Sequence, residues 1–353
     1  MGKGIFRELQ ERLDSYSLGF PATKSGVELK ILEKLFSEKD AKIFLKLSRA
    51  LESVEDISMR LDLSPVETSA HLSDMAQRGL LFHLGTGNSI KYGAIPFVHG
   101  LFEFQVRRMD HELAELFERY KNEEYTTNTA VGIPAFIHTI PVNQSIDTSL
   151  NIAPYEDAIE ILKTQKQIVV TDCICRTQQK LIDEGCEKPM EVCFMFGSMG
   201  QYYLDQNLGR QVELEEAIKL LVKAQEDGLV TQTATNQNPG GICNCCGDCC
   251  GVLISLKNHP KPAELVFSNY VAIVDPDSCS SCDTCIERCQ MEAIQVNDVA
   301  EINLDRCIGC GLCITDCPTE SMQLIIKSED RRKIPPVNPV EQMKLMAQMR
   351  GLD

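Results

Sequence analysis

Apolar residues recur along this chain with helical and strand periods, and those periods set the first expectations. In PYEDAIEILKTQ, Ala158, Ile159, Ile161 and Leu162 predict a helix, and the β-branched run of QIVVTDCICR after it predicts a buried strand. On that strand Cys173 and Cys175 would project from one face, since strand side chains alternate. ELEEAIKLLVKAQEDGLV places Ala217, Ile218, Leu220, Leu221 and Ala224 on one face and stops at Gly228, an amphipathic helix with a glycine exit. Upstream, residues 101–122 (LFEFQVRRMDHELAELFERYKN) predict one long charged helix.

Asp40 is placed to cap DAKIFLKLSRAL, VEDISMRL gives a second helix, and a third runs to Gly79. The third opens on Ser64-Pro65-Val66-Glu67, which combines an N-cap, a first-turn proline and a capping-box glutamate. FHLGTGNSIKYGAIPF adds two short β runs around a Gly-Thr-Gly-Asn turn. Residues 40–98 thus resemble a winged helix-turn-helix. Charge argues against DNA as its partner. Glu67, Thr68, His71, Asp74 and Arg78, the positions expected to face out on the third helix, carry two acids and one lasting cation. Lys42, Lys46 and Arg49 line one face of the first helix, a stripe that reads as a solvated face. A docking module or a homo-oligomer contact is the preferred reading.

The chain has 353 residues, 35 Lys+Arg against 51 Asp+Glu for a formal charge of −16, and 17 cysteines. Its start carries no signal-like apolar run, and no stretch approaches the roughly 18 apolar residues of a spanning helix. A cytoplasmic protein without membrane insertion is expected, and in that compartment dense thiols are metal ligands before they are disulfides.

All 17 cysteines fall between Cys173 and Cys317. The last eight form an internal repeat. CSSCDTCIERCQMEAIQV from Cys279 and CIGCGLCITDCPTESMQL from Cys307 lie 28 residues apart with 7 identities in 18 positions, each with C-x2-C-x2-C-x3-C spacing. Structural zinc, which takes four ligands in C-x2-C pairs, would strand part of this set. The repeat resembles the bacterial-type ferredoxins that carry two [4Fe-4S] clusters. Carried over by position, the resemblance implies one cluster on Cys279, Cys282, Cys285 and Cys317 and another on Cys307, Cys310, Cys313 and Cys289. Gln290 stands where the second motif has Pro318.

Nine cysteines remain upstream: Cys173, Cys175, Cys186, Cys193, Cys243, Cys245, Cys246, Cys249 and Cys250. They are enough for one or two further cubanes with a spare thiol, with zinc or metal-free redox thiols as alternatives. The chain from about residue 140 to 325 resembles larger 4Fe-4S-binding proteins with a C-x-C-R segment, an N-C-C core and a ferredoxin tail, which implies at least one further redox centre. Arg176, beside Cys175, is a candidate to tune a cluster or clamp an anion, with an ordinary surface or packing arginine as the alternative. His138 is expected to be packed rather than ligating. The tail EDRRKIPPVNPVEQMKLMAQMRGLD reads as a proline-rich linker and a short methionine-striped helix docking on its own core.

No phosphate loop, Rossmann fingerprint, G-x-S-x-G or H-E-x-x-H occurs. The expected fold is α+β and multidomain: a helical, winged-helix-like module (1–125), a mixed α/β cysteine-rich domain (126–265), a ferredoxin-like 2[4Fe-4S] domain (266–330) and the linker with its docking helix (331–353). The expected function is single-electron transfer between a partner oxidoreductase and an upstream cysteine-bound redox centre. An Fe–S enzyme binding substrate at that centre, and a redox-responsive transcription regulator, are the alternatives. Residues 275–320 hold ten acids and two cations, so a partner with a basic docking face is expected.

Overall fold

The computed structural model describes residues 4–48, 50–124, 136–145 and 153–352. Arg49, the boundary expected at 125/126, and part of the segment preceding His138 lie outside these residues. The first helices are α1 (Ile5–Asp14), α2 (Val27–Leu35) and α3 (Glu38–Lys46). A short strand β1 (Glu52–Ser53) leads into α4 (Val54–Leu61) and α5 (Pro65–Gln77), and β2 (Phe82–Leu84) and β3 (Lys91–Gly93) complete an antiparallel sheet ordered β1-β3-β2.

The capping box of α5 forms as the sequence requires, with Ser64 accepting from Glu67 N–H. At α3 the expectation needs correction. Ser37 is the N-cap, and Asp40 is its capping-box partner three residues in, accepting from Ser37 N–H at 2.8 Å. The buried Asp40 carboxylate also accepts two bonds from Arg78, at 3.0 and 3.1 Å, and pairs with His71 at 2.8 Å. Two of the five α5 positions expected to face out are therefore turned onto α3, and Thr68 is fully buried.

The helix expected over 101–122 is shorter. Residues 97–105 form irregular turns in which Glu103 accepts from Gly100 N–H at 2.9 Å, and α6 (His111–Glu124) begins only where Asp110 accepts from Leu113 N–H at 2.8 Å.

A six-stranded antiparallel sheet follows. Its strands are β4 (Ile137–Ile140), β5 (Ile168–Asp172), β6 (Glu191–Phe196), β7 (Arg210–Val212), β8 (Val230–Ala234) and β9 (Gly241–Cys245), in the order β4-β8-β9-β6-β5-β7. Helices α7 (Ala158–Lys163), α8 (Ile174–Leu181), α9 (Gly197–Asp205) and α10 (Leu214–Glu226) lie between strands in sequence. Alternation divides the sheet cleanly. Ile168, Val170, Phe194, Phe196 and Ile242 pack with Ala158, Leu162, Ala217 and Leu221 of α7 and α10. Thr171, Cys193, Met195, Cys243 and Cys245 face the other way, into a cavity. His138 is buried in β4 with its ring edge-on to Phe267, 4.6 Å between centroids.

Beyond the sheet come α11 (Gly251–Asn258), α12 (Pro262–Leu265), β10 (Tyr270–Val274), α13 (Thr284–Arg288), β11 (Ile294–Val296), β12 (Ala300–Ile302), α14 (Leu312–Thr315), β13 (Met322–Ile326) and α15 (Pro339–Met349). β10 pairs with β13, and β11 with β12. The tail helix α15 docks on the rest of the chain. Met346 is buried, Gln342 donates to Phe136 O at 3.2 Å, and Arg350 donates to Asp14 and to Ser17 O.

Asp40 gives a stability test. Burial works against its charge, but Arg78, Ser37 and His71 outweigh it and hold the carboxyl at about 2 against an ordinary 3.8. A depressed pKa stabilises the fold above the ordinary value and loses that contribution as pH falls from about 4 toward 2. Asp40→Asn, which leaves Arg78 without its buried anion, is expected to cost about 3 kcal/mol in urea denaturation at neutral pH. The difference from wild type should shrink in acid, and a pH-independent difference would contradict the assignment.

Candidate functional site

The two C-x2-C-x2-C loops are backbone copies of each other. Ser281 and Gly309, Asp283 and Gly311, and Glu292 and Glu320 are pairs exactly one repeat apart, and all six residues have positive φ. At Gly309 the reason is close approach, since a Cβ there would meet Tyr270 O and, at 2.6 Å, Ser268 Oγ. These turns bring the eight thiols into two sets of four. Cys279, Cys282, Cys285 and Cys317 line one small cavity, and Cys289, Cys307, Cys310 and Cys313 line another.

Each set holds three cysteines of one motif and the last of the other. Backbone N–H groups are aimed at the sulfurs, from Ala293 to Cys289 at 3.2 Å and from Ala300 to Cys279 at 3.5 Å. Four converging thiols with N–H donors on the sulfurs match the chemistry of a cubane, whose potential such bonds tune. The sets differ in exposure. Cys282 is exposed, whereas burial pushes Cys310 up to about 12.

The nine upstream cysteines divide six and three. Cys173 and Cys175 do not share a strand as the sequence suggested. β5 ends at Asp172, Cys173 becomes the N-cap of α8, and Cys175 sits in its first turn. The helix start still brings the two thiols together. Cys193 comes from β6, Cys243 and Cys245 from one face of β9, and Cys250 from the N-cap of α11. Side-chain interactions close a ring in the order Cys173, Cys175, Cys250, Cys245, Cys243, Cys193. Around it, Cys173, Cys243 and Cys250 are held well down by two thiol neighbours each, and Cys175, Cys193 and Cys245 are pushed up.

The ring borders a cavity of about 190 Å³. Its other lining includes Met195, Met199, Tyr203, His99 and Glu103. His99 has φ +61 and stacks on Phe136, and burial raises the Glu103 carboxyl above its ordinary value. The sequence did not single out His99 or Glu103, since neither stands in a motif. The remaining thiols, Cys186, Cys246 and Cys249, form their own group.

Arg176 lies between the two groups and is fully buried, which removes the surface reading. It donates to Pro189 O at 3.0 Å and Asn244 O at 3.1 Å. Burial opposes its charge, but Cys173, Cys246, Cys245 and Cys193 hold its pKa above the ordinary value.

The ferredoxin-like region is fastened to this cysteine core beside its more buried thiol set. Gln290, directly after Cys289, accepts from Gly247 N–H at 2.7 Å in the turn between Cys246 and Cys249 and donates to Gly228 O at 3.2 Å. Arg288 donates to Gln225 O and Glu226 O at the end of α10, and Arg306 to Lys257 O and His259 O at the end of α11.

Residues 278–322 match the family described as the 4Fe-4S dicluster domain, so this part of the chain is a ferredoxin-like 4Fe-4S region. Comparisons with curated proteins and with solved structures find no match for the chain.

Proposed function

We propose that this protein is an iron–sulfur electron-transfer component, passing single electrons between a partner oxidoreductase and a centre on the upstream cysteines. Two [4Fe-4S] clusters are assigned to the two cysteine sets, with Cys282 marking the solvent-facing one. A third Fe–S centre is assigned to the ring of Cys173, Cys175, Cys193, Cys243, Cys245 and Cys250, which offers two thiols more than a cubane takes. When bound, these groups supply one-electron redox chemistry. The chain's own residues hold them in line, keep water from the inner ones and neutralise charge through Arg176.

The observation that carries the reading is Gln290. It follows a cysteine of the inner ferredoxin set and reaches both the Cys246–Cys249 turn and Gly228. A proline at this place, as after Cys317, has no side-chain amide and makes neither bond.

The elements over 38–93, with helices and strands in the order α-β-α-α-β-β, support the winged-helix reading, and we assign that module to docking or dimerisation. The turn of His71 and Arg78 onto Asp40 weighs against a DNA-reading regulator. The 190 Å³ cavity with Glu103 and His99 favours one second reading, an enzyme that binds substrate beside the upstream centre. Changes in the electron paramagnetic resonance spectrum on adding small ligands would separate the two.

Anaerobically purified protein is expected to contain at least about 12 iron and 12 acid-labile sulfide per chain. About 8 of each would leave the ferredoxin-like region intact and remove the third centre. Gln290→Pro is expected to keep the iron content and slow reduction of the upstream centre at least tenfold in stopped-flow mixing with a reductant. An unchanged rate would place the electron path elsewhere. The rate with a cationic redox partner should fall steeply with ionic strength, and a flat salt dependence would contradict a basic docking face.

A further inference from the structure

Cys186, Cys246 and Cys249 stand outside the six-thiol ring. Cys186 Sγ lies 3.7 Å from Cys246 Sγ and 3.6 Å from Cys249 Sγ, and all three sulfurs fall within 4.8 Å of one another. That spacing selects a chemistry. A tetrahedral ion bonded to thiolates at about 2.3 Å holds its sulfurs about 3.8 Å apart, the edge of the tetrahedron. A cubane binds each thiolate to a different iron, pointing outward, so its ligands stand much farther apart. The trio has the spacing of one ion and not of a cluster.

The local backbone agrees. Cys246 and Cys249 sit at the two ends of one C-x2-C segment, the spacing that places two thiolates on one tetrahedral ion. Gly247, inside the turn, is clamped by Gln290. Among the described residues no fourth cysteine, histidine or carboxylate joins the group. Cys246 and Cys249 are buried, while Cys186 is only partly covered, so solvent reaches the group at Cys186.

We infer that Cys186, Cys246 and Cys249 hold one zinc ion, separate from every iron–sulfur centre, with its fourth position open to water or a small ligand. Three protein ligands and one exchangeable position are the pattern of a zinc that acts on a bound molecule, whereas a purely structural zinc is closed by four. The inference does not rest on the electron-transfer reading, because it needs neither the ring nor the ferredoxin-like region to be redox active.

The test is elemental analysis and X-ray absorption at the zinc edge on the full chain, purified anaerobically. The expected result is about one zinc per chain with three sulfur neighbours at about 2.3 Å and one oxygen or nitrogen neighbour at about 2.0 Å. Cys186→Ala, a change on a partly exposed loop, should lose most of that zinc and leave iron and sulfide at wild-type levels. Four sulfur neighbours would overturn the open position. Absence of zinc from the wild type, or loss of about four iron in the variant, would overturn the site by returning the trio to redox thiols or to a cluster. If the variant yields no soluble protein, the wild-type zinc spectrum alone decides. Iron counts judge the electron-transfer reading separately.

Discussion

The buried guanidinium of Arg176 is the interaction on which the cysteine core depends. A charge with no solvent exposure is tolerated only with anions close by and its N–H groups bonded. Here two carbonyls, Pro189 O and Asn244 O, receive its terminal nitrogens, its Nε has no hydrogen-bond partner, and the thiols of both cysteine groups that surround it carry the rest of the compensation. Asn244 is itself tied down, donating to Val192 O and accepting from Thr231, so its side chain ties β9 to β6 and β8 and the arginine joins that network through the Asn244 carbonyl. Thiolates carry negative charge, and the buried Arg176 supplies a balancing cation among them. Removing it would leave both groups of thiolates repelling each other in a low-dielectric interior.

The same logic of satisfying orphan groups joins the ferredoxin-like region to this core. Helices end with carbonyls that have no partner within the helix. Arg288 takes up those at the end of α10, and Arg306 those at the end of α11. Bonds from a charged donor are worth about 1.5–3 kcal/mol each, and the guanidinium also meets the negative end of the helix dipole. Gln290 adds two neutral bonds between the arginines in sequence. Met291, Ala293, Ile308 and Leu312 share the main core with Leu253 and Leu256, and these directed bonds add a fixed orientation to that apolar contact.

Local signals were legible wherever one stretch of chain decides the outcome. The repeat from Cys279 and Cys307, the capping box at Ser64 and the helix ending before Gly228 all form as the residues dictate. Partition of the upstream thiols was not legible, because it is set by pairings between elements. β9 lies against β6 and β8, and this pairing, not spacing along the chain, puts Cys193 beside Cys243. Cys173 and Cys175 misled for a related reason. The β-branched run ends at Asp172, and a helix start can converge two thiols as well as a strand face can. Asp40 shows a third limit. Its local role as a capping partner was near enough to read, but the reach of Arg78 and His71 across to it was not.

Charge on the ferredoxin-like surface follows from how its cations are used. Arg288 and Arg306, the two cations of 275–320, point inward and are half-buried, while all ten acids of that stretch are exposed. Three of those acids, Glu292, Asp305 and Asp316, pair with Lys257, Lys261 and Arg288 along the junction. Asp275, Asp277, Asp283 and Glu287 flank the exposed Cys282 in sequence and are exposed themselves. Of the ten exposed acids Arg288 reaches only Asp316 among the described ion pairs, so most of the stretch keeps its negative charge. The outer thiol set, with Cys282, is the more exposed one, and the inner set lies beside the core, where Arg288 and Arg306 make their bonds.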